Sequence, residues 1–233
     1  MSVRMRKGYG GTGPGERTPD GCSVEVYKRM PVGDEPDVVA AAVPPGASIL
    51  ELGSGAGRVT RPLAERGFAV TAVDESPGML EQIEGVEGVR TLRSPIEELD
   101  TGETYDVVML ASFLVHTGDP QVRQGMLRAC RRHVKDGGCV LVQREGLDWH
   151  TDVPRERRDS AGGTVRIKSA TPVGDGVDAM LCEYVYPDAT WTQTFLSRPL
   201  SREEFEGHLG DAGLVVDRYL TDDGTWVRVL PAL

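Results

Sequence analysis

Residues 48–80 read SILELGSGAGRVTRPLAERGFAVTAVDESPGML. SILEL (48–52) is a short apolar run broken by one acid, and it reads as a buried strand. Gly53, Gly55 and Gly57 stop it, and a helical pattern over Arg58–Arg66 follows and halts at Gly67. FAVTAVD (68–74) is a second strand. Ser76 then caps a helix running to Glu84, with Pro77 at its first position. A strand that ends in a glycine turn and opens a helix presents unpaired amide N–H groups to a ligand. Spacing separates the ligand classes. Dinucleotide folds follow G-x-G-x-x-G, whereas here the pattern is G-x-G-x-G and Arg58 stands where their third glycine would be. Glu51, just ahead of the turn, sets a carboxylate where a pyrophosphate would lie, which suits a ligand carrying an ammonium group. Asp74 closes the second strand 21 positions after Gly53, where a carboxylate can accept both hydroxyls of a ribose.

The same alternation continues outward. VRTLR (89–93), TYDVVML (104–110) and CVLVQRE (139–145) read as three more strands. Pro120–Val134 is an amphipathic helix with Val122, Met126, Leu127, Cys130 and Val134 on one face. Near-continuous apolar strands between helices are the pattern of a parallel sheet covered on both sides. Before it lie helices near Ser23–Met30, with Ser23 as N-cap, and Glu35–Val43. Residues 8–21, rich in Gly and Pro, read as a mobile arm. After the fifth strand the character changes: Thr164–Ser169, Ala179–Tyr186 and Trp191–Ser197 look antiparallel. A helix over Ser201–Ala212 starts with a capping box, and LVVDRYL (214–220) with WVRVL (226–230) forms a final hairpin. The expected fold is α/β: a Rossmann-like, doubly wound, seven-stranded and mostly parallel sheet, its last strand antiparallel, with an inserted antiparallel flap. The expected organisation is an arm over 1–22 and one domain over 23–233. Within that domain 44–145 is the cofactor half, 150–200 the flap and 201–233 the closing helix and hairpin.

The chain has 26 Lys and Arg against 36 Asp and Glu, a formal charge of −10 over 233 residues. A protein that neutralises phosphates shows the opposite sign, so nucleic acid is not expected as a partner. The one basic cluster, RERR at Arg155–Arg158, reads as a solvated loop group. Cys22, Cys130, Cys139 and Cys182 form no C-x-x-C pair and no zinc spacing, so no metal is expected. Unpaired thiols fit the cytoplasm better than an oxidising compartment. The N-terminus has charge but no apolar stretch, unlike a signal peptide, and no run approaches the ~18 apolar residues of a membrane span. Lysine occurs only at 7, 28, 135 and 168, an arginine bias that hints at a high-GC bacterial gene.

Residues 48–80 together with YDVVMLASFLVH (105–116) and RRHVKDGGCVLVQRE (131–145) resemble the class I S-adenosylmethionine-dependent methyltransferases of small-molecule type, over most of 35–230. The resemblance implies S-adenosylmethionine as cofactor. Glu51, Gly53, Ser54, Gly55 and Arg58 would hold its methionine part, Asp74 its ribose with Glu75 alongside, and Met79 would pack on the adenine. Ser94, Pro95 and Ile96 stand where such families usually carry an acid for the adenine amino group; Ser94 can still accept a hydrogen bond. Ala111 would offer its backbone to the methionine part. The N/D-P-P-Y/F element of many nucleic-acid and glutamine methyltransferases is missing, since LASF occupies 110–113. With the acidic charge, this implies a small-molecule acceptor, in bacterial specialised-metabolite biosynthesis.

Methyl transfer from a sulfonium needs a general base only when the acceptor must lose a proton. Tyr27, His116, Glu145 and His150 are the candidates, from segments that border the acceptor side of such folds. Each has a plainer explanation. His116 could bond a backbone carbonyl at a helix start, Glu145 could pair with Arg144 or Arg155, and Tyr27 could pack near Val24. Trp149, Trp191 and Phe195 could wall an apolar pocket or simply fill a core. Three rivals stay open: a methyltransferase fold turned to ring closure or elimination, a cofactor-binding subunit that pairs through the flap edges with a second copy or a partner enzyme, and a nicotinamide oxidoreductase, which Arg58 disfavours.

Overall fold

The computed structural model describes residues 5–146 and 148–232. In chain order the first elements are β1 (Gly10–Thr12), α1 (Val24–Arg29), α2 (Glu35–Ala42), β2 (Ser48–Leu52), α3 (Thr60–Glu65), β3 (Ala69–Asp74), α4 (Pro77–Leu80), β4 (Val89–Arg93) and β5 (Tyr105–Leu110). Then come α5 (Pro120–His133), β6 (Val134–Gln143), β7 (Arg155–Arg158), β8 (Thr164–Gly174), β9 (Val177–Val185), β10 (Thr190–Ser197), α6 (Arg202–Asp211), β11 (Leu214–Tyr219) and β12 (Trp226–Pro231). They fall into two compact units: residues 33–146 with 200–232, and residues 5–32 with 148–199.

The larger unit holds the expected sheet, ordered β11-β12-β6-β5-β2-β3-β4. β2 pairs in parallel with β3 and β5, and β12 runs antiparallel to both of its neighbours. The alternation along β2 explains the two-sided cover. Leu50 and Leu52 join Met126, Leu127 and Phe205 from α5 and α6, while Ile49 joins Val39 of α2 and Leu63 of α3. Helices α3 and α4 are shorter than their patterns predict. Ser76 does cap α4, accepting from Met79 N, and the Ser201–Glu204 capping box of α6 is present.

The other unit is a five-stranded antiparallel sheet, β1-β10-β9-β8-β7. Where the sequence reads as one domain with an inserted flap, the flap residues instead form a separate compact unit that takes in the N-terminal stretch. The expected mobile arm, of which residues 1–4 lie outside the described residues, contains β1, whose Gly10–Thr12 pair with Thr192–Thr194. The glycines there serve close packing: a Cβ on Gly13, at φ +107, would overlap the Trp191 ring, and Trp191 Nε1 donates to Pro14 O at 2.7 Å. Arg155–Arg158, read as a loop, is the edge strand β7, paired with Thr164–Ile167. Ser23 stands at the N-cap of α1, yet its hydroxyl makes no cap bond. Inward residues Met180, Cys182, Tyr184 and Trp191 pack with Val26 of α1. Among the described residues no helix is long and apolar enough to cross a membrane.

Candidate functional site

Carboxyl ends of parallel strands, where neighbouring connections part, form the crevice of an open α/β sheet. Here β2, β3 and β5 end together. Gly53, Gly55 and Gly57 all have positive φ, of 75°, 55° and 83°. The amides of Gly53 and Ser54 both donate to Val73 O at 2.9 Å, which seats the turn on β3. Asp74 completes it: Oδ2 accepts from Gly55 N at 2.9 Å and Oδ1 from Ser76 N at 2.8 Å. The carboxylate is thus fixed between the first turn and the second. Ile96 and Leu114 flank Gly53, and a Cβ on that glycine would lie 2.6 Å from Leu114 Cδ1.

Glu51 is buried beneath this turn, with Oε2 accepting from Thr60 Oγ1 at 2.6 Å. Burial raises its carboxyl from the ordinary 4.5 to about 7; Thr60 and the Arg58 charge pull it down, and Asp74 adds a smaller upward push. The sign follows directly. Between pH 4.5 and 7 the folded chain keeps a proton that the unfolded chain has released, so stability falls as pH rises through that window. Above it the buried charge costs on the order of 3 kcal/mol. Glu51→Gln is therefore expected to melt at a higher temperature than the parent at pH 8 and at the same temperature at pH 4.5, which scanning calorimetry reads. Equal melting temperatures at pH 8 would remove the buried charge from this account.

The remaining expected cofactor residues divide. Ser94 N donates to Asp74 O at 3.2 Å and its hydroxyl donates to Pro95 O, just before the 3-10 turn Ile96–Glu98, so 94–96 lie beside β3. Ala111 is buried, and its carbonyl accepts from Leu114 N at 3.3 Å. Met79 is buried in α4, and Glu75 follows Asp74, its carbonyl accepting from Arg93 Nε at 3.1 Å. Arg58 turns to Glu35 of α2 instead, at 2.6 Å. Thr60 and Leu114 escaped the sequence reading. A threonine nine residues after Glu51 leaves no periodic trace, and Leu114 looks like any loop hydrophobe.

His116 and Glu145, proposed separately, come together. His116 Nδ1 lies 3.2 Å from Glu145 Oε2, and His116 Nε2 accepts from Glu145 N at 3.1 Å, with both side chains 3% exposed. With Nε2 accepting the peptide N–H, the proton of a neutral imidazole sits on Nδ1, the nitrogen that faces the carboxylate.

Tyr27 and His150 belong to the antiparallel unit. Tyr27 Oη accepts from Cys22 Sγ at 3.3 Å, and the Cys22 thiol and burial hold its phenol well above the ordinary range. His150 Nδ1 lies 2.6 Å from Asp178 Oδ2 and its Nε2 3.3 Å from the buried Ser197 hydroxyl, tying the turn at 148–152 to β9 and β10. Trp149, Trp191 and Phe195 all pack in the core of that unit.

Comparison with known proteins bears on this arrangement. Residues 49–138 match the family model described as "Methyltransferase domain". A ubiquinone biosynthesis O-methyltransferase of Rickettsia akari is 34% identical over 99 residues, 40% of this chain and 38% of that protein. The chain spans about two fifths of the length of the curated relatives it matches. Among solved structures, an S-adenosylmethionine-dependent methyltransferase from Clostridium acetobutylicum superposes with TM-score 0.69 at 16% identity, covering 89% of this chain and 92% of the other. CalS10 of Micromonospora echinaspora, an amino pentose methyltransferase of calicheamicin biosynthesis, gives 0.64 at 22%, covering 91% and 93%. At these identities the likeness is one of fold. The matched stretch carries the glycine turn and Asp74.

Proposed function

We propose that the chain transfers a methyl group from S-adenosylmethionine to a small molecule of bacterial specialised metabolism, in the cytoplasm, with Glu145 as the base for an acceptor that must lose a proton. The observation that carries the reading is the turn around residues 51–57. Its residues fit the cofactor: Ser54 Oγ is buried with no hydrogen-bond partner among the described residues, and a polar ligand tail would supply one. Gly53, Ser54 and Gly55 would hold the amino-acid part, Glu51 would favour its ammonium, and Asp74 would accept from the ribose hydroxyls. Bound there, the cofactor supplies a methyl group already activated on a sulfonium, so the chain need only bind, orient, exclude water and hold a proton. Arg58, held by Glu35, drops out of the cofactor set in this reading. Support for the acceptor class comes from CalS10, an amino pentose methyltransferase, and from the net charge of −10.

Titration calorimetry with S-adenosylmethionine and with NAD tests the cofactor, and transfer of labelled methyl to fractionated small molecules tests the acceptor class. Binding of NAD alone would end this reading, and label appearing only in nucleic acid or protein would end its acceptor half. Asp74→Ala is expected to weaken S-adenosylmethionine binding by about 1–3 kcal/mol, roughly 5- to 150-fold, through loss of hydrogen bonds to a charged acceptor. Unchanged affinity would take Asp74 out of the site.

A further inference from the structure

We infer that Arg123 is a positioning residue, a clamp on the turn that presents His116 to Glu145; the inference rests on the proposed role of that pair. Arg123 lies in α5, three and four positions before Met126 and Leu127, on the face the helix buries, and it is 1% exposed. A Leu or Met would fill that position at no electrostatic cost. A guanidinium is retained there only if its N–H groups find acceptors. Two of its three nitrogens meet backbone carbonyls among the described residues: Nε donates to Val115 O at 2.9 Å and Nη2 donates to Thr117 O. These are the residues on either side of His116, and one rigid planar fork therefore fixes both flanks of the imidazole's own backbone.

The turn is one that needs holding. Ser112 and Phe113 adopt the left-handed conformation, at φ 54° and 62°, which residues with a Cβ disfavour. At its start, Ser112 N donates to the Gln143 side chain at the end of β6, at 2.8 Å. Past Phe113, the 3-10 turn Leu114–His116 closes with His116 N donating to Phe113 O at 2.8 Å. Strand β6 thus grips the entry of the turn and α5 grips its exit. Leu114, between the two grips, is the residue that abuts Gly53. The clamp on the base and the wall of the cofactor turn are therefore one short segment.

The test reads the imidazole itself. In protein labelled with 15N at histidine, wild-type His116 is expected to show a single neutral tautomer, protonated at Nδ1. In Arg123→Met, similar in length and helix-forming, that signal is expected to give way to exchange between tautomers. His133 serves as internal control: its Nδ1 meets Ala129 O and its Nε2 accepts from Thr101 N, away from the clamp. Turnover in Arg123→Met should fall about 10- to 100-fold through misplacement of the base, with a shifted pH–rate profile. Arg123→Lys, which keeps the charge but not the fork, should fall between. A folded Arg123→Met with unchanged His116 signals and an unchanged pH profile overturns the clamp; if that variant does not fold, the same result in Arg123→Lys does so. Loss of the tautomer in the variant, in a protein that transfers no methyl group, would uphold the clamp while removing the proposed function.

Discussion

Glu145→Gln is expected to lower turnover by about 10²- to 10⁴-fold, the usual worth of a positioned base, while leaving S-adenosylmethionine affinity and the melting temperature near those of the parent. The substitution preserves shape, and a Gln oxygen can still accept from His116 Nδ1. The Glu145 amide that donates to His116 Nε2 is backbone and is untouched. What disappears is the capacity to hold the acceptor's proton. Steady-state kinetics with the identified acceptor would show the loss in kcat rather than in KM. Turnover equal to wild type would mean that the acceptor sheds no proton to the chain, as a neutral amine need not before attack.

Gly57→Ala should have the largest effect on stability. The residue sits at φ +83°, and a Cβ there would overlap Ile83 Cγ2, which is fully buried behind α4. A left-handed alanine and an overpacked core together cost about 3 kcal/mol. For a chain of this size that is roughly 6–12 °C in melting temperature. Cofactor binding should weaken as well, because Gly57 N donates to Ser54 O and so shapes the turn. A variant that melts within a degree of the parent would show that Ile83 moves aside freely.

Much of this was legible in the sequence wherever a residue's role is set by its immediate neighbours. The apolar runs of β2, β3, β5 and β6 alternate with helices, and that order alone implies a parallel sheet. The glycine spacing and Asp74 are local too, since the turn is built from consecutive residues. Roles set by distant partners were not legible. The pairing of Arg58 with Glu35, 23 positions earlier, has no local signal. The glycines of residues 8–15 read as slack, and only the Trp191 ring, far along the chain, turns Gly13 into a packing requirement. RERR looks solvated because an edge strand exposes most of what it carries. Arg123 did leave a trace, as a charge within an apolar stripe at helical spacing. His116 and Glu145 were each visible as candidates, but their mutual bonds needed the fold.

The antiparallel sheet is sewn from two stretches of chain, with β1 and α1 arriving from one end and β7 to β10 from the middle. It is thus no cassette. Moving residues 148–199 alone into a related scaffold would bare Trp191 and Gln193 and leave β10 with a raw edge. Any graft of this sheet must carry residues 5–32 along, and a fusion or trim at that end is an alteration of the sheet itself.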